Sequence, residues 1–221
     1  MTHSHDHHDG HHDHDHDAHA PIGSDPEPPL AARARAIEAL LIEKGIVAAA
    51  DIRREMDFLV SRTPADGARL VARAWVDPAF KARLLADPNS AAAELGLDIT
   101  TPSNAQIVVV EDTPDVHHLI VCTLCSCYPR NLLGPPPVWY KSLPYRSRAV
   151  DDPRGVKREF GLELEPQVEG RVHDSTADMR YLVLPLRPAG TEHMTETELA
   201  RLVTRDSMIG VTRPTLEPVP A

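Results

Sequence analysis

Three features of the sequence predict an α+β fold. Apolar residues recur at helical spacing from residue 30 to about 100, β-branched runs begin at Ala105, and a capped helical pattern closes the chain. The expected organisation is an N-terminal helical arm over 30–100, a mixed α/β domain over 101–214 and a C-terminal tail over 215–221. A chain of 221 residues is long enough to bury a real core. With 4% aromatic residues and 21 prolines, that core rests on Leu, Val, Ile and Ala, between long loops.

The elements follow in order. "MTHSHDHHDGHHDHDHDAHA" holds nine histidines and five aspartates with almost nothing apolar to bury, so residues 1–20 are expected to be a disordered tail. Alternating Asp and imidazole chelates Co, Ni, Zn or Cu without a defined fold; an expression tag is the plainer reading. "PIGSDPEPP" is a proline-rich linker over 21–29. Helical spacing predicts a first helix from about Pro29 to Lys44 and a second over Ala48–Ser61, where Ile52, Met56, Leu59 and Val60 share a face. A third helix follows Thr63-Pro64 within "ADGARLVARAWVD", and a short fourth runs from Pro78 through Leu85. Such an amphipathic arm is either core or a surface that wraps another subunit. "AQIVVV" and "HHLIV" read as strands, as do the runs Arg171–His173 and Arg180–Leu184. In "TETELARLVTRDSMIG", Thr195 caps a final helix with Glu198 three residues on, and Gly210 closes it.

Charge and hydropathy exclude some partners. A net charge of −10 argues against nucleic acid, which needs clustered Lys and Arg. No run of about 18 apolar residues occurs and the start is polar, so no membrane is expected and the cytoplasm is the expected location.

All three cysteines stand in six residues of "VCTLCSCYPR": Cys122, Cys125 and Cys127. A disulfide would leave one thiol over. A structural zinc site would need a fourth ligand, which His117 or His118 could supply. An iron–sulfur cluster takes four cysteines, and a redox C-x-x-C pair leaves Cys127 unexplained. A fifth reading is a transition-metal claw. Three thiolates on one face of an ion, with the backbone nitrogens of Ser126 and Cys127, fill five positions and leave a sixth open for water or substrate.

Here the sequence resembles a family, the α subunit of nitrile hydratase in its cobalt form, with the γ subunit of thiocyanate hydrolase close behind. The resemblance rests on "VCTLCSCYP" at Val121, "LGPPPVWYKS" at Leu133, "YRSRAVDDPRGVKREFG" at Tyr145, "DSTADMRYLVLPLRPAGTE" at Asp174 and "LVTRDSMIGV" at Leu202. It implies a metal-claw domain over 101–214 of the nitrile hydratase α-subunit type. In that family Cys122, Cys125 and Cys127 ligate a non-corrin metal through sulfur, and Ser126 and Cys127 ligate it through backbone nitrogen. Cys125 is then oxidised to sulfinate and Cys127 to sulfenate. Thr123 is the residue associated with cobalt, so one Co(III) per chain is expected rather than Fe(III).

The implied reaction is hydration of a nitrile to its amide, a lyase activity. The nitrile carbon is attacked by hydroxide or by the Cys127 sulfenate oxygen, which makes Cys127, Cys125 and Ser126 the catalytic residues. Asp174 and Asp178 match carboxylates that support the ligands. The resemblance also implies a β-type subunit, whose arginines hold the oxidised cysteines, and an activator protein for cobalt insertion. Arg130 stands where nitrile hydratases usually carry Trp and resembles thiocyanate hydrolase, whose anionic substrate needs a positive charge. Hydrolysis of thiocyanate to carbonyl sulfide and ammonia is therefore the alternative activity. A metal carrier working through its His-rich tail is a third reading, which the claw disfavours. Ser207 is a second departure, at a position that is often Cys.

Overall fold

The computed structural model describes residues 30–100, 105–125 and 127–216. The expected tail 1–20, the linker 21–29, Pro29 of the first helix, Ser126 and most of the tail 215–221 lie outside those residues.

The arm begins with α1 (Leu30–Glu43) and α2 (Ala49–Ser61), within a residue of the expected bounds. Neither helix buries a residue. Ile37, Leu40, Met56, Phe58 and Val60 are exposed, and of the face predicted on α2 only Ile52 and Leu59 are half-buried. Packing starts with α3 (Pro64–Val76) and α4 (Pro78–Ala86), whose Leu70, Val71, Phe80 and Leu84 are fully buried.

The sequence pattern does not predict the next helix, α5 (Pro88–Glu94), nor the four after the cysteines: α6 (Arg130–Leu133), α7 (Val138–Lys141), α8 (Leu143–Asp151) and α9 (Pro153–Glu159). All but α8 have seven residues or fewer, too few for a helical period to declare itself. Several are started by a cap followed by proline. Asp87 accepts from Ser90 N–H, Ser142 from Tyr145 N–H and Asp152 from Gly155 N–H, with Pro88, Pro144 and Pro153 in the first helical positions. Prolines that read as loop formers are helix initiators here.

The strands are β1 (Gln106–Glu111), β2 (Val116–Val121), β3 (Glu169–Asp174) and β4 (Met179–Leu184). They pair in parallel as β1 with β4 and β2 with β3, and the second register runs from Val116 opposite Glu169 to Val121 opposite Asp174. Parallel strands need a long crossover, and α6 to α9 provide it between β2 and β3. Leu119, Ile120 and Val121 meet Leu182, Val183 and Leu184 in the core beside α3 and α4.

The single closing helix expected from Thr195 to Gly210 is two helices, α10 (Glu196–Leu202) and α11 (Arg205–Ile209). Thr195 and Glu198 form the expected capping box. The break has a local cause: Thr204 makes a second box with Ser207 and starts the chain anew. Gly210 ends α11 at φ 87°, and a Cβ there would lie 2.1 Å from the His118 carbonyl oxygen. Gly210→Ala is expected to cost about 3 kcal/mol or more, from both the left-handed backbone and the collision, read as a fall in unfolding midpoint.

A buried polar belt holds the start of β2. Asp112 accepts the His118 N–H at 2.7 Å, and its other oxygen lies 2.9 Å from His117 Nδ1, a close contact without hydrogen-bond alignment. His117 Nε2 reaches the Gly210 carbonyl at 3.0 Å. Lys157 of α9 is buried, with Nζ 3.5 Å from the His117 carbonyl. Loss of hydration lowers its pKa to about 8, against the pull of Asp112. The unfolded chain takes up that proton near 10.5, so stability should fall by roughly 3 kcal/mol as pH drops from about 10.5 to about 8, then level off. Denaturant titrations across this range check it, and Lys157→Met should flatten the slope.

Candidate metal centre

The three thiols are delivered by the end of one strand. Val121 is the last residue of β2, and Cys122 follows it, fully buried. The chain then turns so that the sulfurs converge. Cys122 Sγ is 3.4 Å from Cys125 Sγ, which is 3.1 Å from Cys127 Sγ, and all three lie within 4.8 Å of one another. These separations exceed the roughly 2 Å of a disulfide. Cys125 is exposed while its neighbours are buried, so the cluster opens to solvent on one side.

The turn is tied from several directions. The parallel register sets Asp174 opposite Val121, and its carboxylate accepts both the Thr123 N–H at 2.9 Å and the Thr123 hydroxyl at 2.5 Å. Ser175 N–H donates to the Val121 carbonyl at 2.7 Å. Arg146 of α8 donates to the carbonyls of Cys122 and Thr123, and Tyr140 of α7 donates its hydroxyl to the Cys127 carbonyl at 2.9 Å. Inside the turn, Cys125 N–H points at Cys122 Sγ over 3.3 Å.

Burial pushes the Cys127 thiol up to about 12, its sulfur neighbours add to the shift, and Arg180 opposes it. Three crowded sulfurs do not shed their protons for one another. A thiophilic cation supplies the missing charge, and three soft donors on one turn fit such an ion.

The residues singled out from sequence fall unequally. Cys122, Cys125, Cys127, Thr123 and Asp174 come together. Ser126, between Cys125 and Cys127 in the sequence, lies outside the described residues. Asp178 lies exposed in the turn between β3 and β4, and its described bonds are backbone ones to Thr176 and Gln106, none reaching the thiols. Arg130 opens α6 on the surface and lines a cavity of about 260 Å³ with Lys141 and with Met56, Leu59 and Val60 of α2.

His117 and His118 face the buried belt. His118 Nδ1 lies 2.7 Å from His173 Nε2, and among the described residues no His, Asp or Glu joins the three sulfurs as a ligand group. Arg146, Tyr140 and Arg180 were not found by sequence reasoning. Their contacts are to backbone carbonyls or act through space, and neither leaves a spacing signal. Arg146 and Thr123 also line a second cavity of about 340 Å³ with Leu143 and Val150.

Residues 29–212 match the family described as nitrile hydratase, alpha chain. The chain belongs to that family. It is 53% identical to the low-molecular weight cobalt-containing nitrile hydratase subunit alpha of Rhodococcus rhodochrous, over 84% of this chain and 89% of that one. It is 45% identical to thiocyanate hydrolase subunit gamma of Thiobacillus thioparus, over 81% of this chain and 77% of that one. Among solved structures, a double mutant of the Fe-type nitrile hydratase from Comamonas testosteroni Ni1 superposes with a TM-score of 0.80 at 43% identity, covering 87% of this chain and 95% of that one. The α+β fold expected from sequence is thus the fold of nitrile hydratase α chains, with the cysteine turn at the end of β2.

Asp174→Asn keeps the shape of the side chain but cannot accept both Thr123 protons equally. It should lower stability by about 1 kcal/mol and speed amide exchange at Thr123, measured by hydrogen–deuterium exchange, while exchange in β1 stays unchanged.

Proposed function

We propose that this chain is the metal-bearing α subunit of a cobalt nitrile hydratase, which works in the cytoplasm beside a β-type subunit and hydrates a nitrile to its amide. The observation that carries the reading is the convergence of three cysteine sulfurs within 4.8 Å on one tethered turn, in a chain of the nitrile hydratase α family. The sulfurs of Cys122, Cys125 and Cys127 and the backbone nitrogens of Ser126 and Cys127 would hold one Co(III). Bound there, the ion supplies Lewis acidity toward the nitrile and makes its carbon electrophilic.

The chain's own groups do the rest. Cys122 anchors the buried side, and Asp174 fixes the turn through Thr123. Cys125, as sulfinate, would place oxygen at the open side, with the Cys127 sulfenate buried beside it. The nitrile carbon gains oxygen from water directly, or from the Cys127 sulfenate, whose S–O bond then breaks and is remade with oxygen from water; one proton of that water goes to nitrogen to give the imidic acid, and transfer of the second from oxygen to nitrogen gives the amide. Cysteine oxyanions need positive partners, which a β-type subunit would bring. The apolar surface of Leu124, Leu143 and Val150 beside the turn supports such a cover. An activator protein for cobalt insertion belongs to the same proposal.

Arg130 supports a second reading, hydrolysis of thiocyanate. It brings a cation three residues after Cys127, beside Lys141, and thiocyanate hydrolase subunit gamma is a relative. The deciding experiment uses the full chain co-expressed with its neighbouring subunits. Cobalt is counted after chelator treatment, then amide formation from a nitrile and ammonia release from thiocyanate are measured.

Cobalt with amide production establishes the hydratase. Cobalt with thiocyanate turnover alone moves the chain to the hydrolase, and no tightly held metal rejects both. Cys122→Ser is expected to remove bound cobalt and at least about a thousandfold of activity. Under the hydratase reading, Arg130→Trp changes amide formation by no more than a few fold. Under the other it lowers thiocyanate turnover about tenfold or more, as loss of one anion-binding charge does.

A further inference from the structure

The crossover between β2 and β3 sets two side chains on the backbone at opposite ends of the cysteine turn. At its start, Arg146 donates Nε to the Cys122 carbonyl at 3.1 Å and Nη2 to the Thr123 carbonyl. At its end, the Tyr140 hydroxyl donates to the Cys127 carbonyl at 2.9 Å.

The base these side chains reach from is rigid. The Ser142 side chain caps α8, and the neighbouring Tyr145 donates its buried hydroxyl to the Ile120 carbonyl at 2.5 Å. The helix is therefore bonded to the strand just before the thiols and, through Arg146, to the peptides that carry them.

Which carbonyls are held is informative. They belong to the peptides after residues 122, 123 and 127. Both ends of the turn are thereby fixed. Charge points the same way. Arg146 is part-buried, its described bonds go to these two carbonyls, and among the described residues no carboxylate forms an ion pair with it. Three thiolates and two amide anions outnumber the charge of a trivalent ion, so the loaded turn carries excess negative charge that a nearby guanidinium offsets.

We propose that Arg146 is a positioning residue for the metal-loaded turn, fixing the peptide planes at its start and balancing its charge while Tyr140 holds the other end. This rests on the cobalt reading above. Its described side-chain hydrogen bonds go to backbone carbonyls, so its influence on chemistry passes through the geometry and charge of the thiolate ligands.

The test uses the full chain with its partner subunits as wild type, R146K, R146Q and Y140F. The readouts are cobalt retained against EDTA over time, the position of the sulfur-to-metal charge-transfer absorption, and kcat and KM separately. R146Q should lose cobalt about tenfold faster, shift the absorption band, and lower kcat by about tenfold with KM within about threefold, as expected when a pair of part-buried charge-assisted contacts is removed. R146K should restore the band position and most of the retention, because it returns the charge.

R146Q with wild-type retention and absorption overturns the proposal, as does R146K behaving no better than R146Q. If R146Q does not assemble, Y140F decides: it removes one hydroxyl, and cobalt loss at the wild-type rate rejects the clamp. Wild type without retained cobalt overturns the hydratase reading itself and this inference with it.

Discussion

The parallel pairing of β2 with β3 is the constraint on which the metal centre depends. Five of the six residues of β2 are buried, so the strand has no freedom to slide, and its register with β3 is fixed by a core that tolerates no slip of one residue. Because Val121 ends up opposite Asp174, the carboxylate meets the first turn after the strand, and the three sulfurs inherit their positions from that meeting. The thiols are gathered by a sheet edge rather than by their own attraction. Burial of Cys127 raises the cost of its anion, so the fold holds the cluster in place before a cation makes it stable.

Both ends of β2 are reinforced, by different means. At the start, Asp112, His117, His118 and the Gly210 carbonyl form a buried belt that accepts Lys157 from the crossover. Gly210 is required because the His118 carbonyl passes where a side chain would stand. At the far end the reinforcement is backbone hydrogen bonding from Tyr145, Arg146 and Tyr140. The aromatic residues of the crossover also pack edge to face, Trp139 against Tyr145 at 4.8 Å and against Phe160 at 4.7 Å. The few aromatics in the composition are concentrated where they support the cysteine turn.

What the sequence disclosed follows from the range of the interactions involved. Local signals were legible: the helical spacing of α1 to α4, the four strands, the Thr195 capping box, and three cysteines close enough to share an ion. The helices α5 to α9 were hidden because they are short and because the cap-and-proline starts of α5, α8 and α9 resemble loop chemistry, and the break at Thr204 because one capping box masked a second. Asp174 was reached through family resemblance, and its bond to Thr123 spans 51 positions that no periodicity connects. Arg146 and Tyr140 were invisible, since a side chain that binds a distant carbonyl is spelled like any other Arg or Tyr.

The bare helices α1 and α2 carry a consequence for the cell. Ile37, Leu40, Met56, Phe58 and Val60 shown to water are a liability until they are covered. Copies made in excess of whatever covers these residues meet one another instead, and self-association then competes with correct assembly. Supply of this chain therefore has to be matched to supply of its cover: the ratio at which the chains are translated matters as much as the amount, and overproducing this one alone is a recipe for inclusion bodies.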